Sequence, residues 1–259
     1  MYTEQFLRKG LSTRLFGTKI YTFDSVDSTN NCARAVADCG APEGTVIVTE
    51  HQTAGRGRLG RPWLAEPHQN LMLSLLLRPN VSPETLNLLP LYVAVALSET
   101  IERVSGLNVE CKWPNDILFK GKKIAGILIE GSVKKGLVEY VVIGIGINVN
   151  QEKFPGDLAA KASSLKLECN KEFDRAELFK QLLKSLEDGY TVVSATDFQS
   201  VVPQWLSRST MVNRTISVSQ QGNVISGVVK GLSPNGGLIL ESDGIERTIL
   251  AGDVSVLHA

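Results

Sequence analysis

The sequence predicts an α+β fold, in which a larger domain of strands and helices precedes a small β-barrel or meander. Over roughly the first two hundred residues, short apolar strand-like segments alternate with amphipathic helical segments. From about Met211 onward, the chain changes to short alternating strands separated by turns rich in Gly, Asn and Asp. The chain has 259 residues, 43% of them hydrophobic, which suits one large and one small domain. We therefore predict domains at residues 1–208 and 209–259.

The composition argues against several classes of protein. Lys plus Arg number 27 and Asp plus Glu number 27, so the basic excess of a general nucleic-acid or membrane-surface binder is missing. The N-terminal segment has no apolar signal core, and no stretch approaches the roughly 18–20 apolar residues that cross a bilayer. The four cysteines form no CxxC pair. These features predict a cytoplasmic protein without a nucleic-acid or membrane partner.

The first elements follow from their residue patterns. "KIYTFDSV" reads as a strand that leads into a helix, with Ser28 as its N-cap and Gly40 just after its end. The predicted apolar face of this helix consists of Cys32, Ala35, Val36 and Cys39. "GTVIVTEHQTA" is rich in β-branched residues, which predicts a strand. "NLMLSLLLRP" predicts another strand, because it is short and ends at Pro79.

The middle of the chain continues this alternation. A helix is predicted from near Pro90, with apolar residues at helical spacing: Val93, Leu97, Ile101 and Val104. "VECKWPNDILFKGKKIAGILIEGS" predicts a strand, a turn, a hairpin and a strand, and "LVEYVVIGIGINVN" predicts a further strand. A second long helix is predicted after Asp174, because Glu177 follows at the spacing of a capping box.

The segment "GRGRLGRPW" at 55–63 lies between two predicted strands. Its glycines let the backbone approach a ligand, and its arginines can form paired hydrogen bonds with phosphate or carboxylate oxygens. It is not a P-loop, because no helix follows and the Gly-Lys-Ser/Thr ending is missing. By itself it suits an anion-binding loop and a solvated basic or RNA-binding loop equally well.

Three later features have both structural and functional interpretations. "KWPND" at 112–116 is either an ordinary turn, in which Asn115 and Asp116 bond their own backbone, or part of a functional site that uses its Trp, Asn and Asp side chains. Lys123, at the start of an apolar strand, is either solvated or functional. "GIGIN" at 144–148 lacks the third glycine and the following helix of a dinucleotide fingerprint, so its glycines more simply mark close approach of a ligand or another backbone.

Five segments taken together are more specific than any one of them. "DSTN" (27–30), "QTAGRGRLGRPW" (52–63), "KWPND" (112–116), "KKIAGILIE" (122–130) and "GIGINVN" (144–150) occur in this order. The ordered set closely resembles the biotin protein ligases, also called biotin–acetyl-CoA-carboxylase ligases, over nearly the whole chain. The resemblance implies a mixed β-sheet flanked by helices, like that of class II aminoacyl-tRNA synthetases, and an SH3-like C-terminal barrel.

The resemblance also implies a reaction. Biotin and ATP, with Mg²⁺, give biotinyl-5′-AMP and pyrophosphate, and the biotinyl group then passes to a specific lysine of a biotin carboxyl carrier protein. Mg²⁺ is expected to accompany ATP without a direct protein cage. Only some twenty residues precede the first predicted strand, so the resemblance is to members without the N-terminal DNA-binding domain. Family members are often homodimers, so the resemblance implies a homodimer as one assembly state of this protein.

The matching positions imply a set of site residues. Those expected to bind biotin are Ser28, Thr29, Asn30, Gln52, Gly55, Arg56, Gly57, Arg58, Lys123, Gly126 and Gly144. Those expected to bind the nucleotide are Arg56, Arg58, Arg61, Trp63, Lys112, Asn115 and Asn148. The residues expected to act in catalysis are Lys123, Asp116 and Arg58. Asp116 is expected either to orient the acceptor lysine or to deprotonate it.

Two other functions compete with this hypothesis. A lipoate or octanoate ligase would share the fold and the acyl-adenylate chemistry, but those families lack the combination of "GRGRLGRPW" with "KWPND". A non-catalytic RNA-binding module would use the arginine-glycine segment, but the balanced charge and the few aromatic residues near it argue against that.

Overall fold

The larger of two β-sheets in the computed structural model has seven strands. The segment 55–63, called the arginine-glycine loop from here on, lies above the centre of this sheet. The structure describes residues 2–194, 198, 200–220 and 223–256. The strands are β1 (Ile20–Val26), β2 (Val46–Gln52), β3 (Leu71–Leu77), β4 (Glu110–Lys112), β5 (Asp116–Phe119), β6 (Lys122–Lys134) and β7 (Leu137–Ile147). Their order is β1-β2-β3-β7-β6-β5-β4, with β1 and β2 parallel and the other neighbours antiparallel. The predicted mixed sheet is therefore confirmed.

Helices pack on both faces of this sheet. They are α1 (Glu4–Arg8), α2 (Thr29–Asp38), α3 (Leu89–Ser105), α4 (Leu158–Lys161), α5 (Leu165–Cys169), α6 (Arg175–Ser194) and α7 (Val201–Leu206). Two 3-10 helices span Arg58–Gly60 and Pro83–Leu88. Neither α1, α4, α5 nor α7 was predicted, because helices of four to six residues are too short to display a helical period. None of the helices within the described ranges is both long and apolar enough to cross a membrane.

The C-terminal part forms a separate antiparallel sheet of five strands. These are β8 (Thr215–Gln220), β9 (Asn223–Leu232), β10 (Leu238–Ser242), β11 (Ile245–Ile249) and β12 (Asp253–Val256), in the order β11-β10-β9-β8-β12. The Trp113 Nε1–H donates to the Gly236 carbonyl oxygen at 3.1 Å, which connects the two sheets. The predicted fold class is confirmed. Residues 257–259, the end of the predicted second domain, lie outside the described part of the chain.

Strand β3 shows how the two faces of the large sheet differ. All seven of its residues are buried, because helices cover it on both sides. Its odd positions, from Leu71 to Leu77, join the main core, in which α3 packs against α6. Its even positions face the opposite side, where α2 packs on the sheet and Leu76 joins a smaller apolar cluster. Ser74, also buried, lies on the α2 side.

The predicted apolar face of α2 is correct in part, because Cys32 and Val36 are partly buried against the small cluster on the sheet. Ala35 and Cys39 are exposed, whereas Ala33 and Ala37 pack in the small cluster on the sheet. Thr29 and Asn30 are buried on the helix as well. The prediction grouped the more apolar residues. In the structure, the buried residues of α2 are small or polar: Thr29, Asn30, Ala33 and Ala37. Polar residues are buried there because the sheet below α2 carries a polar site as well as an apolar cluster.

Candidate active site

A cavity lies between the N-terminus of α2, strands β6 and β7, and the arginine-glycine loop. Its lining residues are Ser28, Thr29, Asn30, Gln52, Arg56, Gly57, Arg58, Trp63, Asn115, Lys123, Gly126, Ile127, Leu128, Gly144, Ile145 and Gly146. Its free volume of about 50 Å³ has room for a few water molecules only. An organic ligand therefore requires the loop over the cavity to move.

The wall at the start of α2 is a hydrogen-bonded network. Ser28 occupies the N-cap position, but its hydroxyl makes no capping hydrogen bond. The Gln52 Oε1 atom accepts from the Thr29 backbone N–H at 2.8 Å and lies 3.2 Å from the Thr29 hydroxyl. The Ser74 Oγ atom lies 2.8 Å from Thr29 Oγ1 and 2.6 Å from Asn30 Oδ1. These side chains are therefore fixed without a ligand.

Gly144 provides the space for Asn30. A Cβ atom added at Gly144 would lie 2.3 Å from the Asn30 Oδ1 atom, far closer than atoms can approach. The Asn30 Nδ2 group donates to the Glu130 Oε2 atom of β6 at 2.7 Å. The glycine that was predicted to leave room for a ligand thus leaves room for a side chain of the cavity wall.

The arginine-glycine loop folds back on itself like a hairpin. The Gly57 N–H donates to the Arg61 carbonyl at 2.7 Å, and the Trp63 N–H donates to the Gly55 carbonyl at 2.8 Å. Gly55 is needed at its position, because a Cβ atom there would lie 2.6 Å from the Trp63 carbonyl oxygen. The loop therefore has a defined shape over the cavity.

The three arginines of the loop point to different places. The Arg56 Nη2 atom lies 3.1 Å from Glu130 Oε2 and donates to Asn31 Oδ1 at 2.7 Å. Arg58 is half-buried in the cavity wall, and its Nη1 lies 3.4 Å from Asn115 Oδ1 and from the Gly252 carbonyl oxygen. Burial lowers the pKa of the Arg58 guanidinium, while the carboxylates of Asp253 and Asp116 act in the opposite direction.

Arg61 does not lie in the cavity. Its side chain is 69% exposed and forms an ion pair with Asp253 of β12. This ion pair joins the loop to the second sheet. Because glycines and arginines alternate in this segment, the sequence pattern does not indicate which of the three arginines faces the cavity. The hairpin turns Arg58 inward and Arg61 outward.

Trp63 fills the centre of the cavity. Cβ atoms added at Gly146 and Gly126 would lie 2.5 Å and 3.1 Å from its indole ring. The Lys123 Nζ atom is 5.5 Å from the ring centroid. The indole Nε1–H is buried and has no hydrogen-bond partner among the described residues. An unpartnered buried N–H is costly, so packing and not a hydrogen bond holds this ring in the cavity.

Lys123 and Asp116 form an ion pair of 2.6 Å at the edge of the cavity. Both side chains are partly exposed, at 32% and 25%. They meet because β5 and β6 form a tight hairpin with a bulge between Ile117 and Leu118. A cation and a carboxylate thus lie together next to Arg58, at the end of the cavity opposite Asn30.

Five predicted site residues are not part of the cavity lining: Gly55, Arg61, Lys112, Asp116 and Asn148. Gly55 shapes the loop and Asp116 pairs with Lys123, as described above. Lys112 lies in β4, paired in the ladder with Asp116. The Asn148 Nδ2 group donates to the backbone oxygens of Lys123 and Ser163 at 3.3 and 3.0 Å. A contact between Asn148 and an adenine would therefore use its Oδ1 atom.

Several residues of the site were not predicted. The cavity floor includes Ile127, Leu128, Ile145 and Gly146, and the wall depends on Ser74 and Glu130. A single serine within the apolar run "LMLSLLL" is a signal that could have identified Ser74. Gly146 stands directly opposite Gly126 in the ladder, which only the strand register reveals.

Comparisons with known protein families agree with this geometry. The Biotin/lipoate A/B protein ligase family matches residues 22–148, and the biotin protein ligase C-terminal domain matches residues 212–257. The first family includes lipoate ligases as well, so it does not by itself distinguish biotin from lipoate. The second match carries biotin in its name and covers the five-stranded sheet.

Similar proteins extend over nearly the whole chain. The bifunctional ligase/repressor BirA of Bacillus subtilis is 34% identical over 98% of this chain and 79% of its own length. A biotin–acetyl-CoA-carboxylase ligase of Mycobacterium tuberculosis is 32% identical over 88% of this chain and 85% of its own length. The structure of the Aquifex aeolicus biotin protein ligase with biotin and ATP superposes with a TM-score of 0.79, at 29% identity, over 93% of this chain and 100% of that one. The chain therefore belongs to the biotin protein ligase family.

Proposed function

We propose that this protein activates biotin with ATP as biotinyl-5′-AMP and transfers the biotinyl group to a specific lysine of a biotin carboxyl carrier domain, in acetyl-CoA carboxylase or a related carboxylase. One observation carries this proposal. A single cavity joins a fixed wall of uncharged hydrogen-bonding groups to a cationic end formed by Arg58 and Lys123. Biotin has the same two ends, a ureido ring and a carboxylate.

The wall around Asn30 suits the ureido ring. A ureido group has two N–H donors and one carbonyl acceptor, and it carries no charge. Ser28 offers a hydroxyl that makes no capping bond, and Thr29 and Asn30 lie beside it in the cavity. Because a polar group that enters a buried site must find partners, such a wall favours a cyclic urea over a purely apolar ring.

The first step joins two anions. A carboxylate oxygen of biotin attacks the α-phosphorus of ATP, and the bond between that phosphorus and the bridging oxygen breaks to release pyrophosphate. Positive charge must offset the repulsion between the two anions and stabilise the charge that develops on the phosphoryl oxygens. We assign this role to Arg58 and Lys123. Mg²⁺ is proposed to bind together with ATP, where it would neutralise part of the negative charge of the phosphates.

The second step transfers the acyl group. The amine of the acceptor lysine attacks the carbonyl carbon of biotinyl-AMP, the bond to the phosphate oxygen breaks, and AMP leaves. The amine must lose a proton. We assign the orientation or deprotonation of the incoming amine to the Asp116 carboxylate, which lies 2.6 Å from Lys123 of the cavity lining.

Further assignments remain part of the proposal. The nucleotide is placed next to Trp63, Asn115 and Asn148, with Lys112 and Arg61 as outer contacts after the loop moves. The protein is proposed to act in the cytoplasm as a monomer or homodimer without a nucleic-acid partner. The divisions 1–208 and 209–259 are proposed as the catalytic domain and the C-terminal domain. Their support is the second sheet, which begins at Thr215.

The test measures pyrophosphate release from ATP with biotin, with lipoate and with no acid. We expect release that depends on biotin alone. The product should then label a purified biotin carboxyl carrier domain, but not a matched domain whose acceptor lysine is replaced by arginine. Release that depends on lipoate would support the lipoate ligase alternative, and no release with either acid would contradict the ligase function.

A further inference from the structure

The contacts of Glu130 connect the ureido end of the cavity to the loop that covers it. We propose that Glu130 is a positioning residue, which orients Asn30 toward the biotin ring and retains Arg56 when the loop is closed. This inference rests on the proposed function. Glu130 lies on β6 at an even position, so its side chain faces α2 and the loop. Its side chain is 24% exposed.

A single carboxylate oxygen makes both contacts. Glu130 Oε2 accepts from Asn30 Nδ2 at 2.7 Å and from Arg56 Nη2 at 3.1 Å. The other oxygen, Oε1, lies 3.7 Å from Arg34 Nη1. Asn30 and Arg56 are 100 and 74 residues away in sequence. They reach the same oxygen because α2 and the loop both lie over the even positions of β6.

Asn30 Nδ2 donates to Glu130 Oε2 at 2.7 Å and to the Leu128 carbonyl oxygen at 3.4 Å, and Glu130 is the nearer and the charged acceptor that sets which way the amide faces. An ionised carboxylate only accepts hydrogen bonds, so the NH₂ group of Asn30 must point toward it. The Asn30 Oδ1 atom then accepts from Ser74 Oγ at 2.6 Å and retains a second lone pair. That lone pair suits an N–H donor of the ureido ring. In the flipped amide, two oxygens would face each other, and a donor would be offered to the ligand in place of an acceptor.

Glu130 also stabilises the closed loop. Arg56 Nη2 is shared between Glu130 and Asn31 Oδ1, at 3.1 and 2.7 Å, so the loop is held to the first turn of α2 and to β6 together. Hydrogen bonds between charged partners are stronger than neutral ones. Since the same oxygen orients Asn30, a ligand that stabilises the Asn30 orientation also favours the closed loop. Retention of biotinyl-AMP follows from that coupling.

The experiment compares Glu130→Gln and Glu130→Ala with the control Glu139→Gln. Glu139 lies on the neighbouring strand β7, is largely exposed outside the cavity, and accepts from Ser132 at 3.0 Å. The measurements are kcat and KM for biotin in pyrophosphate release, the rate at which biotinyl-AMP escapes, and tryptic cleavage of the loop with biotin and ATP present. Thermal unfolding of each variant reports whether it is folded.

The two variants separate the two roles. Glu130→Ala removes the nearer, charged partner of a buried amide and leaves Asn30 Nδ2 only the Leu128 carbonyl oxygen at 3.4 Å, so KM for biotin should rise about tenfold with a smaller change in kcat. Glu130→Gln keeps a neutral acceptor for Asn30 but loses the charge, so KM should change less than about threefold while biotinyl-AMP escapes faster and trypsin cuts the loop sooner. Glu139→Gln should match the wild type in all three measurements.

Two results would overturn the inference. One is a pair of Glu130 variants that match Glu139→Gln in KM, escape and cleavage. The other is a loss of kcat at unchanged KM together with a lower melting temperature, which would indicate a purely structural role. If the wild type itself shows no biotin-dependent pyrophosphate release, the proposed function fails and the inference fails with it, whereas a wild type that releases pyrophosphate with variants that match Glu139→Gln overturns the inference alone. If Glu130→Ala does not fold, the escape of biotinyl-AMP and the tryptic cleavage of the loop in Glu130→Gln still test the inference.

Discussion

The two ends of the cavity are built differently. At the α2 end, Thr29, Asn30 and Ser74 are buried and bonded to one another on regular elements. At the opposite end, Arg58 and Trp63 are carried by a loop, and Lys123 and Asp116 pair at a partly exposed edge. The first end is preorganised for an uncharged group whose shape does not change. In the reaction that we propose, the second end receives the charge that develops on the phosphoryl oxygens, and its loop opens and closes over the ligand.

The cationic end should give the largest effect on the chemical step. Lys123→Ala removes one donor at the developing charge, which typically costs about 10²- to 10³-fold in rate. We expect pyrophosphate release to fall by that factor. Lys122→Ala, the neighbouring lysine on β6, is the matched control and should keep near-normal release. A near-normal rate in Lys123→Ala would contradict the assignment of charge stabilisation to this residue.

The preorganised end should respond in binding and not in the chemical step. Gly144→Ala places a Cβ atom 2.3 Å from Asn30 Oδ1, so Asn30 must shift. Overpacking of this kind destabilises a fold by about 1–3 kcal/mol. Because the displaced side chain here belongs to the proposed biotin wall, we expect KM for biotin to rise, by at most roughly 150-fold if the whole cost falls on binding. Gly131→Ala on β6 is the control, because its new atom would come no nearer than 3.4 Å to a side chain. If steady-state kinetics show equal KM values for both variants, the α2 wall is not the biotin-recognition surface.

The smallest expected effects come from the loop, where replacement of Arg58 and replacement of Arg61 should differ in how fast biotinyl-AMP escapes. Arg58→Ala removes a half-buried cation from the cavity and should speed the escape of biotinyl-AMP more than it raises KM for biotin. Arg61→Ala removes an exposed ion pair with Asp253, which is worth about 0.2–1 kcal/mol, so escape should change less than roughly fivefold. Release of the adenylate measured by chromatography distinguishes them. Equal leakage from both variants would mean that Arg61 also reaches the adenylate.

The fold was largely predictable because its elements carry strong local patterns. The strands of the large sheet and the helices α2, α3 and α6 follow from β-branched runs, helical spacing and caps. Asp174 Oδ1, for example, accepts from the backbone N–H groups of Ala176 and Glu177 at 2.8 and 3.2 Å, which confirms Asp174 as the N-cap, while Glu177 Oε1 accepts from Gln181 at 3.0 Å. The predicted packed face of α2 was wrong for Ala35 and Cys39 and correct for Cys32 and Val36, because packing depends on what lies beneath the helix and not on the helix alone.

The sequence by itself determined the order of elements, the chemical groups available and, through five ordered motifs, the family. Those properties are local or depend only on residue identity. Only the tertiary structure decided that Arg58 lines the cavity while Arg61 pairs with Asp253 of β12. The tertiary structure likewise decided that Gln52, and not the side chain of the N-cap residue Ser28, accepts from the Thr29 backbone N–H. It also decided that one oxygen of Glu130 joins Asn30 to Arg56. Such contacts span long stretches of chain and arise from sheet order and register, which no local pattern encodes.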